Sequence, residues 1–388
     1  MIRRSLIHTV GFVVLTLLFW PAASLASHDE VPQPPPSSTT EALKTYKIDS
    51  RQITVSGLSS GGFFAHQFHL AHSGLVNGAG VIAGGPYGCA EQFAFLPVPL
   101  PPAAAAALYV CTHYLGALPF TPTVEASVTM LQNAEAESLI DSLDDLRDDR
   151  VWLFRGNGDR IVPISSMEAL RGLYQRIGIA RDKLVWFAPE QDQVQASHGI
   201  PISDLRNVAL PHVSCGEHKT PFVIRCEYEA AGHMLRHLYP GSVQEAAENP
   251  HDAGSLLAFD QTAFFDAAQP RTSLSSVGYV YVPSHCLTEV CRLHVAFHGC
   301  RQNVEAVYDD FIRDAGYNRW AATNHLIVLY PQAKPWFADP LIPGNPANLL
   351  ANPNGCWDFW GYSGLGYYGQ SGKQMRAVKA MVDRLLGP

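Results

Sequence analysis

Along most of this chain, short apolar runs take turns with longer amphipathic stretches. Residues 52–55 read as a strand that runs into Ser56-Gly57-Leu58-Ser59-Ser60-Gly61-Gly62, and a helical stretch follows to about His72. Residues 79–83 form a second short apolar run. Between 124 and 146, Val128, Leu131, Leu139, Leu143 and Leu146 recur at helical spacing. Residues 151–154 are strand-like and end at Gly156-Asn157-Gly158-Asp159; a helix is predicted over 166–177. A strand over 184–188 then precedes a loop that carries His198. Farther on, 277–282, 293–297 and 326–330 read as strands, with helical stretches between and after them. Strands alternating with helices predict an α/β fold, a mostly parallel sheet with helices on both faces.

The front of the chain departs from this rhythm. Arg3 and Arg4 precede an apolar run over about 10–20, and Ser24-Leu25-Ala26 puts small residues where a signal peptidase reads. This is the pattern of a signal peptide cut after Ala26, which predicts a protein secreted or sent to the periplasm. The apolar run is shorter than the ~20 residues needed to cross a bilayer, so no stable membrane insertion is expected. Residues 27–47 include Pro-Gln-Pro-Pro-Pro-Ser-Ser-Thr-Thr and predict a flexible leader, leaving 48–388 as a single catalytic domain.

Composition narrows the partners. Hydrophobic residues make up 47% of the 388 and charged residues 16%, as in a globular enzyme, and a net charge of -8 argues against nucleic acid. Eight cysteines in an exported chain suggest disulfides, and no Cys-x-x-Cys pair suggests zinc. Nearest-neighbour pairing is simplest: Cys89–Cys111, Cys215–Cys226, Cys286–Cys291 and Cys300–Cys356. Between the first two cysteines lies an apolar, Pro-rich segment, 93–102, then an alanine run. It reads either as a buried loop stapled by a disulfide or as an exposed apolar rim.

Candidate chemistry centres on Gly57-Leu58-Ser59-Ser60-Gly61, the Gly-x-Ser-x-Gly form of a nucleophile elbow, here between a predicted strand and a predicted helix. A serine on so sharp a turn exposes its hydroxyl, and small neighbours relieve the crowding. The acid is expected at Asp159, on the loop after a later strand, and the base at His198, after the next one. His233, in Ala231-Gly232-His233, is the rival base, although it falls inside a helix-like stretch. In this triad His198 would take the Ser59 proton while Asp159 holds the imidazole tautomer. An oxyanion-hole strand ending His-Gly normally precedes the elbow, yet here 293–297 leads into His298-Gly299-Cys300 far downstream. The sheet is therefore expected to be circularly permuted, with the backbone N–H groups of Ser60 and Cys300 as the oxyanion hole and His298 as an orienting residue.

These motifs resemble the polyhydroxybutyrate (PHB) depolymerases that have a circularly permuted α/β-hydrolase catalytic domain. The likeness extends to Cys226-Glu227-Tyr228-Glu229-Ala230-Ala231-Gly232, Ala315-Gly316-Tyr317-Asn318-Arg319-Trp320-Ala321, Leu329-Tyr330-Pro331-Gln332 and Asn354-Gly355-Cys356-Trp357-Asp358-Phe359-Trp360-Gly361-Tyr362. The resemblance implies a serine esterase acting on poly(3-hydroxybutyrate) without metal or organic cofactor, with Ser59, Asp159 and His198 catalytic and Ser60 and Cys300 at the oxyanion. It further implies that Trp357 or Trp360 lines the cleft against the polyester. A carboxylesterase for small or polysaccharide-linked esters, of feruloyl or acetyl type, is the alternative activity. A binding protein on an inactive hydrolase fold is the non-enzymatic one.

Overall fold

The computed structural model describes residues 40–93, 102–187, 194–203, 213–241, 243–337 and 351–387. The expected signal peptide, the leader up to residue 39 and the Pro-rich stretch 94–101 lie outside them. The strands are β1 (Ile48–Leu58), β2 (Gly78–Ile82), β3 (Arg150–Phe154), β4 (Leu184–Phe187), β5 (Ile200–Ile202), β6 (Val223–Arg225), β7 (Gly254–Asp260), β8 (Val277–Pro283), β9 (Cys291–Phe297) and β10 (Leu326–Tyr330). Eight of them form one sheet in the order β4-β3-β2-β1-β9-β10-β8-β7, while β5 and β6 pair separately. From β4 to β10 every pairing is parallel; β8 and β7 complete the sheet antiparallel. The fold is α/β, as the alternation predicts.

Two parallel neighbours fix the location of the site. β1 is first in the chain but central in the sheet, and β9 lies beside it with Val55 opposite Val295 and Gly57 opposite Phe297. Both strands therefore deliver their C-terminal ends, Leu58-Ser59 and Phe297-His298, to the same edge. The chain leaves β1 toward β2 on one side, and β9 leads toward β10 on the other. Such a divergence opens a crevice beyond the strand ends.

The core explains why the strands sit there. Ile53, Val55, Val81, Leu153, Leu293, Val295 and Val328 are buried in the middle strands, which carry apolar residues on both faces because helices cover both. Between β1 and β9 a polar chain is also buried. His294 Nδ1 is 2.7 Å from Thr54 Oγ1 and its Nε2 2.7 Å from Ser56 Oγ, and Tyr317 OH reaches Ser56 Oγ at 2.8 Å. Every polar atom in that chain has a partner, so its burial is tolerated.

Three expectations need correction. The leader ends earlier than residue 47: Leu43 is buried in the core, Glu41 bridges Phe259, and Tyr46 N–H donates to Leu385 O at 2.9 Å. Leu43 and Tyr46 anchor it among polar residues. The long helix over 124–146 is two elements, helix Val124–Ala136 and the 3-10 turn Leu143–Asp148. Ser138 adopts φ 56 between them, and that left-handed residue ends the helix, with Leu139 N–H returning to Ala134 O at 2.8 Å. Edge strand β7 was not anticipated, because its half-exposed Leu256, Leu257 and Ala258 lack clean alternation.

The four disulfides are Cys89–Cys111, Cys215–Cys226, Cys286–Cys291 and Cys300–Cys356, the nearest-neighbour set.

Candidate active site

β1 ends at Leu58 and helix α1 (Ser60–Ala71) begins at Ser60, so Ser59 alone makes the turn, with φ 56 and ψ -122. Such a conformation costs a non-glycine residue about 1–3 kcal/mol and persists only when neighbours hold it. Here Ser59 N–H donates to Ile82 O at the end of β2, and Ser59 O accepts from Phe63 N–H, both at 2.9 Å. The motif glycines are required by the same crowding. A Cβ on Gly57 would lie 2.3 Å from the Gly61 carbonyl, and one on Gly61 would lie 2.4 Å from the carbonyl oxygens of Phe297 and His298. The elbow is thus wedged between β2 and β9.

Helix α1 is buried along its whole length, and most of its polar side-chain atoms find partners, His66 Nε2 excepted. Gln67 Nε2 donates to Asp358 O at 3.0 Å, His69 Nε2 sits 3.0 Å from Asp149 Oδ2, and Tyr174 OH lies 2.9 Å and 3.0 Å from the Nδ1 atoms of His66 and His69. The serine therefore stands on a rigid support.

The loop after β3 carries Asp159, and the loop before β5 carries His198. They meet because Gly156 and Gly158 let the first loop press against the second. Gly158 N–H donates to Ala196 O at 3.0 Å, and a Cβ on Gly156 would stand 2.1 Å from that same oxygen. Asp159 Oδ2 is 2.8 Å from His198 Nδ1, and both side chains are buried. The other oxygen, Oδ1, accepts the backbone N–H groups of Ile161 at 2.8 Å and Val162 at 3.0 Å. Burial pushes the Asp159 carboxyl up, but the His198 charge, its hydrogen bond and those two N–H groups outweigh it and leave the carboxyl below its ordinary value. His233 is elsewhere, exposed on helix Ala230–Leu238 and stacked on Tyr228 at 4.5 Å.

Ser59 and His198 both line a cavity of about 280 Å³. One wall is apolar: Ala104, Ala107, Leu108, Leu115, Phe359 and Trp360. The alanine run supplies part of it, folding as helix α2 (Pro102–Ala106) and a π turn over Ala107–Cys111 whose buried face packs on Phe63 and Phe359. A second wall holds His218, Phe222, Cys300 and Arg301. Sequence reading missed His218 and Phe222, which no periodicity marks; the Cys215–Cys226 disulfide closes the loop that carries them.

The Cys300 region is held from several sides. His298 is buried; its Nε2 accepts Ala333 N–H at 3.1 Å, so the proton resides on Nδ1, which donates to Gly299 O at 2.7 Å. Burial holds this imidazole down to about 4, and it is neutral at ordinary pH. Gln302 Oε1 accepts Gly299 N–H at 2.8 Å, and the Cys300–Cys356 disulfide ties the turn to the segment bearing both tryptophans.

The two tryptophans part company. Trp360 is half-buried and borders the cavity. Trp357 is not available to a ligand, which corrects the expectation for that residue: it is fully buried against Phe64, Phe297 and His298 at 4.8, 5.0 and 5.6 Å between rings. Between them Asp358 shapes the loop, its buried carboxylate accepting the N–H groups of Trp360, Gly361 and Ser363. Among the described residues, the His/Cys grouping spaced for a metal is His285, Cys286 and Cys291, but its sulfurs are joined in a disulfide and offer no thiolate.

No protein-family model matches the chain. It is 34% identical over 347 residues to a poly(3-hydroxybutyrate) depolymerase of Delftia acidovorans, a match that covers 88% of this chain and 61% of that protein. It is 31% identical over 348 residues to a polyhydroxybutyrate depolymerase of Talaromyces funiculosus, covering 89% and 92%. The chain thus spans less than two thirds of the bacterial relative and most of the fungal one. Among solved structures, the crystal structure of PHB depolymerase from Penicillium funiculosum matches with a TM-score of 0.74 at 30% identity, over 89% of this chain and 98% of that one. A PHB depolymerase with serine replaced by alanine, complexed with an R3HB trimer, matches with the same figures. With a relative above 30% identity matched along nearly its full length, the chain belongs to the polyhydroxybutyrate depolymerase family.

Proposed function

We propose that this chain is an exported serine esterase that hydrolyses poly(3-hydroxybutyrate) to 3-hydroxybutyrate oligomers or monomer. The observation that carries the reading is the buried Asp159–His198 pair at 2.8 Å, whose His198 lines the same apolar cavity as the strained Ser59. Export is supported by the four disulfides, and no helix among the described residues is long and apolar enough to cross a membrane.

In this reading the chemistry needs no metal or organic cofactor. Asp159 keeps the proton of His198 on Nδ1, leaving Nε2 free to accept the Ser59 proton as Oγ attacks the ester carbonyl. The ester C–O bond then breaks, the alkoxide takes that proton from His198, and the acyl group stays on Ser59. Water, deprotonated by His198, releases the acid and restores the serine.

The developing oxyanion is met by the N–H groups of Ser60 and Cys300. The first turn of a helix has no internal acceptors for its N–H groups, so that of Ser60 is available at the elbow. For Cys300 the orientation comes from His298. Gly299 O and Cys300 N–H belong to one planar trans peptide and point in opposite directions. By holding Gly299 O, His298 Nδ1 turns the Cys300 N–H away from itself, the orienting role expected of it.

A fluorophosphonate tests the nucleophile, because it phosphonylates an activated serine with loss of fluoride. Peptide mapping is expected to find the adduct at Ser59 in the wild type and nowhere in Ser59→Ala. An unmodified Ser59, or an adduct at another serine, would overturn the assignment.

A further inference from the structure

The second wall of the cavity has a feature that ester hydrolysis alone does not require. Arg301 borders the cavity with its guanidinium carbon 5.3 Å from the centre of the Phe222 ring. His218 packs on the same ring, 5.2 Å between centroids, and meets His198 edge-on at 5.6 Å. Cation and imidazole thus flank one aromatic ring beside the base.

The backbone of Arg301 is also held in place. It adopts φ 56, its N–H donates to Asn354 O at 2.6 Å, and the next residue, Gln302, donates from Nε2 to Pro221 O at 2.9 Å. The backbone thus fixes the direction in which the side chain leaves the main chain, and its exposed guanidinium lies along Phe222. No carboxylate pairs with this guanidinium among the described residues. Glu217, next to His218 in the chain, accepts Ser214 N–H at 2.9 Å. Burial, with the charges of His198 and Arg301, holds the His218 ring below its ordinary value despite the opposing pull of Asp159, so near neutrality it offers an N–H rather than a second charge.

We propose that Arg301, with His218 beside it, is a carboxylate-binding subsite for the leaving half of the substrate, giving preference to ester bonds one unit from a free carboxyl end. The inference rests on the polyester reading above. Its chemistry follows from a 3-hydroxyacyl chain. The oxygen that leaves with the His198 proton is on the third carbon of a unit whose own carboxyl is the first carbon. If that unit ends the chain, a carboxylate lies two carbons from the carbon bearing the departing oxygen, on the side of His198 where His218 and Arg301 stand. A planar guanidinium suits a carboxylate better than it suits a neutral ester carbonyl.

The test compares the linear trimer of (R)-3-hydroxybutyrate as free acid and as its methyl ester, in which a methyl group removes the end charge. For the wild type, kcat/KM is expected to favour the acid by about tenfold, in the range of a charge-assisted hydrogen bond. Arg301→Gln is expected to bring the acid-to-ester ratio close to one, and Arg301→Lys to keep part of it. Equal rates for the two trimers in the wild type would overturn the inference while leaving the depolymerase reading intact. So would an undiminished ratio in Arg301→Gln. Because the wild-type ratio is read without any substitution, a variant that fails to fold does not leave the matter open. If neither trimer is cleaved while a short nitrophenyl ester is, the polyester reading itself falls, and this inference with it.

Discussion

Asp159→Asn is the sharpest perturbation the site offers, because the geometry dictates how the amide must sit. The position of Oδ1 receives two backbone N–H groups, from Ile161 and Val162, and an NH₂ group there would face two donors. The asparagine is therefore forced to place its oxygen on that side and its NH₂ toward His198 Nδ1. A donor facing Nδ1 moves the imidazole proton to Nε2, so the ring no longer has a lone pair to take the Ser59 proton. The same tautomer error in a serine triad costs about 10⁴ in kcat, or ~5.4 kcal/mol of transition-state stabilisation at 1.36 kcal/mol per decade. Shape is conserved, so the fold should survive, but some stability is lost. The Asp159 carboxyl lies below its unfolded value, so its contribution is full above the ordinary carboxylate range and disappears as pH falls through the folded value. The amide lacks this contribution at every pH. Hydrolysis of 4-nitrophenyl butyrate at pH 7, with near-UV circular dichroism as the folding control, measures the effect. A folded variant within tenfold of wild-type kcat would refute the assignment of Asp159 as the orienting acid.

Further outcomes follow from burial. Trp357→Ala removes a fully buried ring and is expected to cost about 3–5 kcal/mol in urea unfolding, whereas Trp360→Ala should leave the midpoint nearly unmoved and raise KM for hydroxybutyrate oligomers. Equal effects of the two on stability would contradict that division. Burial depresses His72 and His298 to about 4 and His294 to about 3, and a depressed histidine stabilises fully above its unfolded value and loses that contribution as pH falls toward the folded one. Between pH 7 and pH 5 each ring should cost about 2 kcal/mol. Asp310 and Asp314, raised to about 6 and about 7, offset part of it. A urea midpoint that falls over this range is expected, and one that stays flat or rises would show that these rings do not titrate as their burial requires.

How much of this was legible beforehand depended on whether the signal was local. The elbow was legible because Gly57, Ser59 and Gly61 are adjacent in sequence and the same crowding that selects them is present in the turn itself. The positions of Asp159 and His198 followed from strand order, since each stands on a loop after a strand. The disulfides followed from proximity along the chain. The division of labour between Trp357 and Trp360 was not legible, as two tryptophans of one segment part only where Asp358 gathers the N–H groups of Trp360, Gly361 and Ser363. His218 and Phe222 were hidden for a similar reason: a disulfide loop, with no hydrophobic period, carries them to the base. The docking of Leu43 was masked by the polar residues around it.

The measurement that bears most directly on the function is alkali uptake at constant pH while the protein acts on amorphous poly(3-hydroxybutyrate), with Ser59→Ala alongside. Steady acid release by the wild type, absent in the variant, is expected. Release that persists in Ser59→Ala would contradict the nucleophile. No release from the polymer, with Ser59-dependent cleavage of a short nitrophenyl ester, would keep the serine hydrolase and contradict polyester hydrolysis.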